Sequence, residues 1–263
     1  MELSVGGRKA YAYNAGRAPD AARPSVVFVH GAGLDHSFWG LQSRYFAYHG
    51  RNVLSVDLPG RGRSEGPPLP TIEAMADWVI ALLDAARLQR ASVIGKSMGS
   101  LVALECAARY PQRVERIALV GTAFPMRVSK AFLDAARDNE PAAHEMHTIW
   151  GHAATAPLSG NPFPGMWLYG DTLARLARLA PGVLFNDLRA CNDYAAGLQS
   201  AAKLKCPALF ILGARDMMTP PKAAQQLIAA VPNAKAITIK PSGHSLMAEA
   251  PDATLDALIA FLA

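Results

Sequence analysis

Cysteine is scarce in this sequence: Cys106, Cys191 and Cys206 are the three in 263 residues, and no two form a C-x-x-C pair. So few, so scattered, exclude a disulfide framework and favour a reducing compartment, so a cytoplasmic setting is expected. Long hydrophobic runs are missing too. No apolar stretch approaches the ~18 residues that cross a bilayer. The N-terminus runs from Glu2 into two short strand-like stretches about Gly6-Gly7, without the apolar core of a secretory signal. Charge is sparse, at 18% of residues against 51% apolar, the reverse of a disordered chain. The 26 Lys and Arg outnumber the 21 Asp and Glu to give a net charge of +5, yet the basic residues are dispersed and form no stripe that would neutralise several phosphates. Neither nucleic acid nor a membrane is expected as a partner. A small-molecule substrate is, and a homodimer is compatible with this composition.

What is present is an alternation. Short β-branched, apolar runs recur at Ser25–Val29, Asn52–Val56, Ala91–Ile94, Arg116–Val120, Ala208–Leu212 and Lys235–Ile239. They are apolar nearly throughout, as strands covered on both faces are, which predicts a largely parallel sheet. Helical patterns lie between them. Residues 71–86 open on Thr71 as a cap and carry Met75, Trp78, Val79, Leu82 and Leu83 at three- and four-residue spacings; 98–109, 221–230 and 252–262 read likewise. With the two N-terminal stretches, the expected fold is α/β, a mostly parallel eight-stranded sheet flanked by helices.

The alternation breaks once. Between Gly121 and about Lys203 there is no strong strand run, but helical windows appear at 129–138, 141–150, 171–180 and 183–196. The expected organisation is a core of residues 1–121 and 204–263 interrupted by a helical cap of residues 122–203. The insert is rich in large apolar side chains, Trp150 and Trp167 among them. Packing within the insert accounts for most of these, and a few are expected to face the sheet as a lid over a pocket.

After Ala91–Ile94 the chain reads Gly95-Lys96-Ser97-Met98-Gly99 and passes at once into a helix. This is G-x-S-x-G between strand and helix, where a tight turn holds the serine exposed at the C-terminal edge of the sheet. A serine hydroxyl is a weak nucleophile at neutral pH, so Ser97 needs a base in hydrogen-bond reach, and the base needs an orienting acid. Of seven histidines, His244 follows the last strand at the same edge; His30, His36 and His49 precede the serine, and His144, His147 and His152 lie in the insert. Asp216 directly follows the strand Ala208–Leu212, whereas Asp57 precedes the serine and the loop after Val120 has no carboxylate. Ser97, Asp216 and His244 therefore stand as nucleophile, acid and base in the order Ser…Asp…His. The oxyanion needs two N–H donors, assigned to Met98 after the nucleophile and to Ala32 in His30-Gly31-Ala32-Gly33-Leu34.

Lys96, Gly31, Trp150 and Trp167 are the candidate pocket residues. An ammonium at position 96 would attract an anionic substrate group or reach a structural acidic partner. His144 and His147, at i and i+3 on one helix, have no third ligand of recognisable spacing and read as a helix-surface pair, so no metal and no cofactor are expected. Arg61 and Arg63 are expected to tie down their loop, His30 to be structural, and Cys191 to be inert packing.

Together His30-Gly31-Ala32-Gly33, Asp57-Leu58-Pro59-Gly60-Arg61-Gly62-Arg63-Ser64, Gly95-Lys96-Ser97-Met98-Gly99, Gly213-Ala214-Arg215-Asp216 and Gly243-His244 resemble the α/β-hydrolase fold superfamily over essentially the whole chain. The resemblance implies a serine hydrolase with a helical cap after the sixth core strand, cleaving carboxylic esters of small substrates through an acyl-enzyme. The Asp nucleophile of the fold's dehalogenases and epoxide hydrolases is replaced here by Ser97. Carbon–carbon bond hydrolases usually carry Asn before the serine and an aromatic after the histidine, where this chain has Lys96 and Ser245. Lactonases, thioesterases, cofactor-free haloperoxidases or perhydrolases and, despite those two departures, carbon–carbon bond hydrolases share the triad and stay open as alternatives. So does a non-catalytic ligand-binding protein, although a binder has no physical need for nucleophile, base, acid and oxyanion loop together.

Overall fold

The computed structural model describes residues 1–138, 141–156 and 166–263. The chain begins with a hairpin of β1 (Glu2–Val5) and β2 (Arg8–Tyr13), whose turn uses Gly6 and Gly7 at φ +57° and +76°. There follow β3 (Ser25–Val29), α1 (Gly40–Tyr48), β4 (Asn52–Asp57), α2 (Ile72–Ala85), β5 (Ala91–Lys96), α3 (Met98–Arg109) and β6 (Val114–Val120). After the helical segment described below come β7 (Ala208–Gly213), a helix at Gln225–Ala230, β8 (Lys235–Ile239) and helices at Leu246–Glu249 and Pro251–Leu262.

The sheet has eight strands in the order β1-β2-β4-β3-β5-β6-β7-β8. It is antiparallel at β1–β2 and β2–β4 and parallel from there on, as the apolar runs predict. Every residue of β3 and β5 is buried. Successive side chains of a strand point to opposite faces, so Val27 and Val29 pack with α2 and α3 on one side while Val26 and Phe28 pack with α1 and the two C-terminal helices on the other. In register, Val29 lies opposite Gly95, Lys96 opposite Val120, and Gly213 opposite Ile239. The parallel strands thus finish at a common edge, and the loops that follow them converge there.

Between β6 and β7 the described residues hold five helices and no strand: α4 (Lys130–Arg137), α5 (Pro141–Trp150), α6 (Leu168–Leu176), α7 (Val183–Asp193) and α8 (Gly197–Ala202). The helix expected over 171–180 starts at Leu168 and stops at Leu176, ahead of Pro181, which disfavours helical backbone before it. The apolar periodicity does not announce α1, α8 or the turn of helix at Leu246–Glu249, which are nine, six and four residues long and span too few turns to show a pattern. No helix among the described residues is long and apolar enough to cross a membrane.

Two buried polar ties fasten these helices to the sheet. Glu105 of α3 accepts hydrogen bonds from Tyr194 (2.5 Å) and from Ser200 of α8. Arg61, in the turn after β4, lies 2.7 Å from Asp187 of α7 with both side chains fully buried, and Asp187 also accepts the Gly33 amide at 3.0 Å. Arg61 therefore ties its loop down, as expected, and does so across to α7. Because Nε and Nη1 of Arg61 have no other partner, removing the carboxylate strands a buried guanidinium. Asp187→Ala should lose about 3–5 kcal/mol of stability, read from urea denaturation, and Arg61→Met/Asp187→Leu should recover most of it. An Asp187→Ala protein as stable as wild type would show that the pair carries no net stability.

Candidate active site

One residue, Ser97, turns the chain from β5 into α3, with φ 53° and ψ −117°. For a side chain with a Cβ this conformation costs about 1–3 kcal/mol and persists only where the surroundings dictate it. They do. A Cβ on Gly95 would lie 1.8 Å from the Gly99 carbonyl oxygen, and one on Gly99 would lie 2.4 Å from that of Val29. Glycine at both positions lets strand, helix and the end of β3 meet backbone to backbone. The Ser97 amide donates to the Val120 carbonyl at 2.9 Å, which fixes the turn to β6.

His244 and Asp216 come to this edge from the loops after β8 and β7. His244 Nδ1 donates to Asp216 Oδ2 at 2.7 Å. The same oxygen accepts the Thr219 hydroxyl at 2.7 Å, while Oδ1 accepts the Met218 and Thr219 amides at 2.9 and 2.7 Å. Burial alone would raise the Asp216 carboxyl, but the His244 ring and the hydrogen bonds from His244 and Thr219 outweigh it and hold the group below the usual carboxylate range. Thr219 escapes the motif search, although an Asp followed by a free amide two residues on is the signal of a side-chain-closed turn.

With Nδ1 committed to Asp216, Nε2 is the nitrogen of His244 left open. It has no hydrogen-bond partner and is not bonded to the Ser97 hydroxyl in this structure, yet both residues line one cavity of about 350 Å³. Ala32 lines it as well. Met98 is the first residue of α3, so its amide has no partner within the helix. Serine, imidazole, carboxylate and the residues of two amides are thereby brought together.

The expected pocket residues divide. Trp150 lines the cavity with Met126, Phe132 and Leu188, and the exposed Arg127 and Met217 mark its mouth. Trp167 does not: it is 69% exposed, and its ring folds over Gly170, where a Cβ would lie 2.1 Å away. Lys96 and Gly31 lie behind the lining. Lys96 is buried and, among the described residues, forms no ion pair; a Cβ on Gly31 would sit 2.9 Å from its Cδ, and its ammonium lies 5.3 Å from the centre of the Phe38 ring. Burial lowers its pKa to about 8, against the opposing charges of Asp216 and Glu249. Cys191 is buried in the cavity wall, and burial pushes its thiol up and away from reactivity.

The pair on α5 does not stay at the surface. His147 turns inward, lines the cavity and places Nε2 3.1 Å from the Ala32 carbonyl, while His144 remains half-buried. His30 is structural as expected, with Nδ1 2.8 Å from the Gly31 carbonyl and Nε2 accepting the Leu58 amide at 3.2 Å. Asp35, His36 and Asp57 are close enough to suggest a cation. Internal hydrogen bonds occupy them: Asp57 accepts the His36 ring and amide and the Arg63 amide, each at 2.8 Å, and Asp35 caps Ser37.

Glu249 is the residue with no motif to announce it. Its carboxylate accepts the amides on both sides of His244, Gly243 and Ser245, each at 3.1 Å, and that of Ala153 after α5 at 2.9 Å. It grips the histidine loop from below and ties it to the helical segment. Glu249→Gln replaces one accepting oxygen by a donor and should lower kcat roughly 10–100-fold with KM little changed, since small misplacements of a base are costly. A lowered melting temperature with wild-type kcat would reduce Glu249 to a structural staple.

The pH dependence has a definite sign. His244 must be neutral to act as a base, and burial, only partly opposed by Asp216, holds its pKa below the ordinary 6.5. Activity limited by this group is lost as pH falls through that lowered value. A profile of kcat/KM should therefore fall on the acid side with its midpoint below 6.5. A bend above 6.5 would contradict the burial seen here.

Comparison with known proteins agrees with this geometry. Residues 26–257 match the sequence profile described as the alpha/beta hydrolase family. A pimeloyl-[acyl-carrier protein] methyl ester esterase from Aromatoleum aromaticum is 30% identical over 249 residues, 88% of this chain and 94% of that one. One from Chromobacterium violaceum is 32% identical over 244 residues, covering 84% and 87%. Among solved structures, the enol-lactonase from Burkholderia xenovorans LB400 superposes with a TM-score of 0.86 at 25% identity, covering 100% of this chain and 99% of that one. Sheet order, elbow and profile agree, and the chain belongs to the alpha/beta hydrolase family.

Proposed function

We propose that this protein is a serine hydrolase that cleaves carboxylic esters of small substrates, with residues 122–203 as a cap over the site. The observation that carries the reading is the hydrogen-bonded Asp216–His244 pair whose free Nε2 shares a cavity with the strained Ser97. A binding protein has no use for a strained serine opposite a bare, carboxylate-oriented imidazole nitrogen.

In this reading the Ser97 oxygen attacks the ester carbonyl while His244 Nε2 takes its proton, and Asp216 stabilises the imidazolium. The oxyanion of the tetrahedral intermediate is held by the Ala32 and Met98 amides, Met98 adding the positive end of the α3 dipole. Collapse expels the alcohol, which takes the proton from His244, and leaves an acyl-enzyme. A water then gives its proton to His244 and attacks the acyl carbonyl, and a second collapse releases the acid and restores Ser97. A lactone, as an internal ester, would open by the same steps. An apolar cavity of about 350 Å³ suits short acyl chains rather than long lipids. The activities for which the relatives are named, those of methyl ester esterases and an enol-lactonase, support the ester class. Three free thiols fit a reducing cytoplasm.

Fluorophosphonate labelling together with turnover of p-nitrophenyl butyrate tests the reading. Wild type should label and turn over; Ser97→Ala should lose the label and at least about 100-fold in kcat while its melting temperature stays close to wild type. A Ser97→Ala protein that still labels, or wild-type protein inert to both reagents, would overturn it.

A further inference from the structure

His147, whose side chain lines the cavity, carries an unused acceptor. Its Nε2 lies 3.1 Å from the Ala32 carbonyl oxygen, which has only lone pairs to offer, so the hydrogen is on Nε2 and Nδ1 of the neutral ring is bare. Nδ1 is buried and has no hydrogen-bond partner. The ring stays neutral because burial, reinforced by the nearby Lys96 ammonium, holds its pKa down to about 3. A second proton at Nδ1 is therefore not available as a way to satisfy the site at neutral pH.

An orphaned buried acceptor is unfavourable by about 1–3 kcal/mol and calls for a reason. The other interior polar groups of the lining are spoken for: Thr219 and His244 Nδ1 by Asp216, and Ser97 and His244 Nε2 by the proposed chemistry. Of the neighbouring lining side chains, Phe132 and Leu188 have no polar atom, the Trp150 indole can only donate and the Met126 thioether accepts only weakly, so none of them matches an imidazole nitrogen as acceptor for a ligand's hydroxyl. His147 is also fixed in relation to the reacting centre, because the residue its Nε2 grips, Ala32, is the one whose amide is assigned to the oxyanion. We infer that His147 Nδ1 is a binding contact for a hydroxyl group carried by the substrate, so that the site takes hydroxy esters in preference to counterparts that cannot donate there. This contact presupposes ester cleavage at Ser97. The hydroxyl can come from the acyl or the alcohol side of the ester, since both flank the carbonyl.

The test compares each hydroxy ester with its own methyl ether, which keeps the inductive effect but adds a methyl group and cannot donate; a preference due to that bulk alone would persist when the acceptor is removed. Methyl β-hydroxybutyrate against methyl β-methoxybutyrate reports on the acyl side; hydroxyethyl butyrate against methoxyethyl butyrate reports on the alcohol side. Wild-type protein should favour the hydroxyl by at least about tenfold in kcat/KM on one of the two arms. In His147→Phe a flat ring of similar size is kept but the acceptor at Nδ1 is gone, so the ratio should fall to about unity. Equal kcat/KM within both pairs in wild type overturns the contact and leaves ester hydrolysis standing, and this needs no variant to fold. A preference that survives intact in His147→Phe also overturns it, because another group then reads the hydroxyl. Turnover of none of the four esters removes the ester reading and the contact with it.

Discussion

The contact on which the site depends is backbone against backbone, where Gly99 at the start of α3 meets the carbonyls that end β3. A Cβ there would come within 2.4 Å of the Val29 oxygen and 2.6 Å of the His30 oxygen. Because nothing intervenes, the helix that carries the Met98 amide and the loop that carries Ala32 are held at the shortest separation two chain segments can adopt. Ser97 sits between them. Its left-handed φ is sustained by neighbours on all sides, with Gly95 against Gly99, the Val120 carbonyl on its amide and the Ser100 hydroxyl on its own carbonyl. The strain is stored where the chemistry needs an exposed hydroxyl, and the buried parallel strands supply the rigidity that keeps it.

The helical segment between β6 and β7 does more than cover this edge. From α5 and the residues that follow, His147 grips the Ala32 carbonyl, the Gly151 carbonyl accepts the Ser245 hydroxyl, and the Ala153 amide reaches Glu249. Ala32 belongs to the oxyanion loop; Ser245 and Glu249 hold the loop of His244. One helix and its exit turn thus bear on both halves of the catalytic arrangement. Asp187 of α7 adds a further tie to the oxyanion loop through Gly33. A displacement of α5 would be felt at the loop of Ala32 and at the loop of His244 together.

Electrostatically the site separates committed groups from open ones. Asp216 receives four hydrogen bonds counting the His244 ring, and Glu249 receives three amides, so the buried carboxylate and the half-buried one are both occupied. The nitrogens left open, His244 Nε2 and His147 Nδ1, belong to residues that line the cavity. Leaving such atoms unpaired lowers stability, and a folded chain tolerates this at the place where a ligand completes them.

Much of this was legible in the residues themselves. Unbroken apolar runs such as Ser25–Val29 announce strands covered on both faces, because a strand exposed on one side must alternate. Gly95-Lys96-Ser97-Met98-Gly99 announces the elbow, because only glycines allow that approach, and the placing of Asp216 and His244 after strands puts them at the edge where parallel strands end. What the chain order could not decide is which side chains of the insert turn inward. Trp150 and Trp167 look alike in sequence, yet Trp150 lines the cavity while the ring of Trp167 lies over Gly170 at 69% exposure. His144 and His147 read as a surface pair, and the docking of α5 buries one of them against Ala32. Glu249 has no motif at all. Its role arises because the loop after β8 and the turn after α5, nearly a hundred residues apart in sequence, bring three unpaired amides to one point. Periodicity and local motifs follow from near neighbours along the chain. The direction in which a helix presents its faces to a distant loop is set only when the two pack, and that was for the tertiary structure to decide.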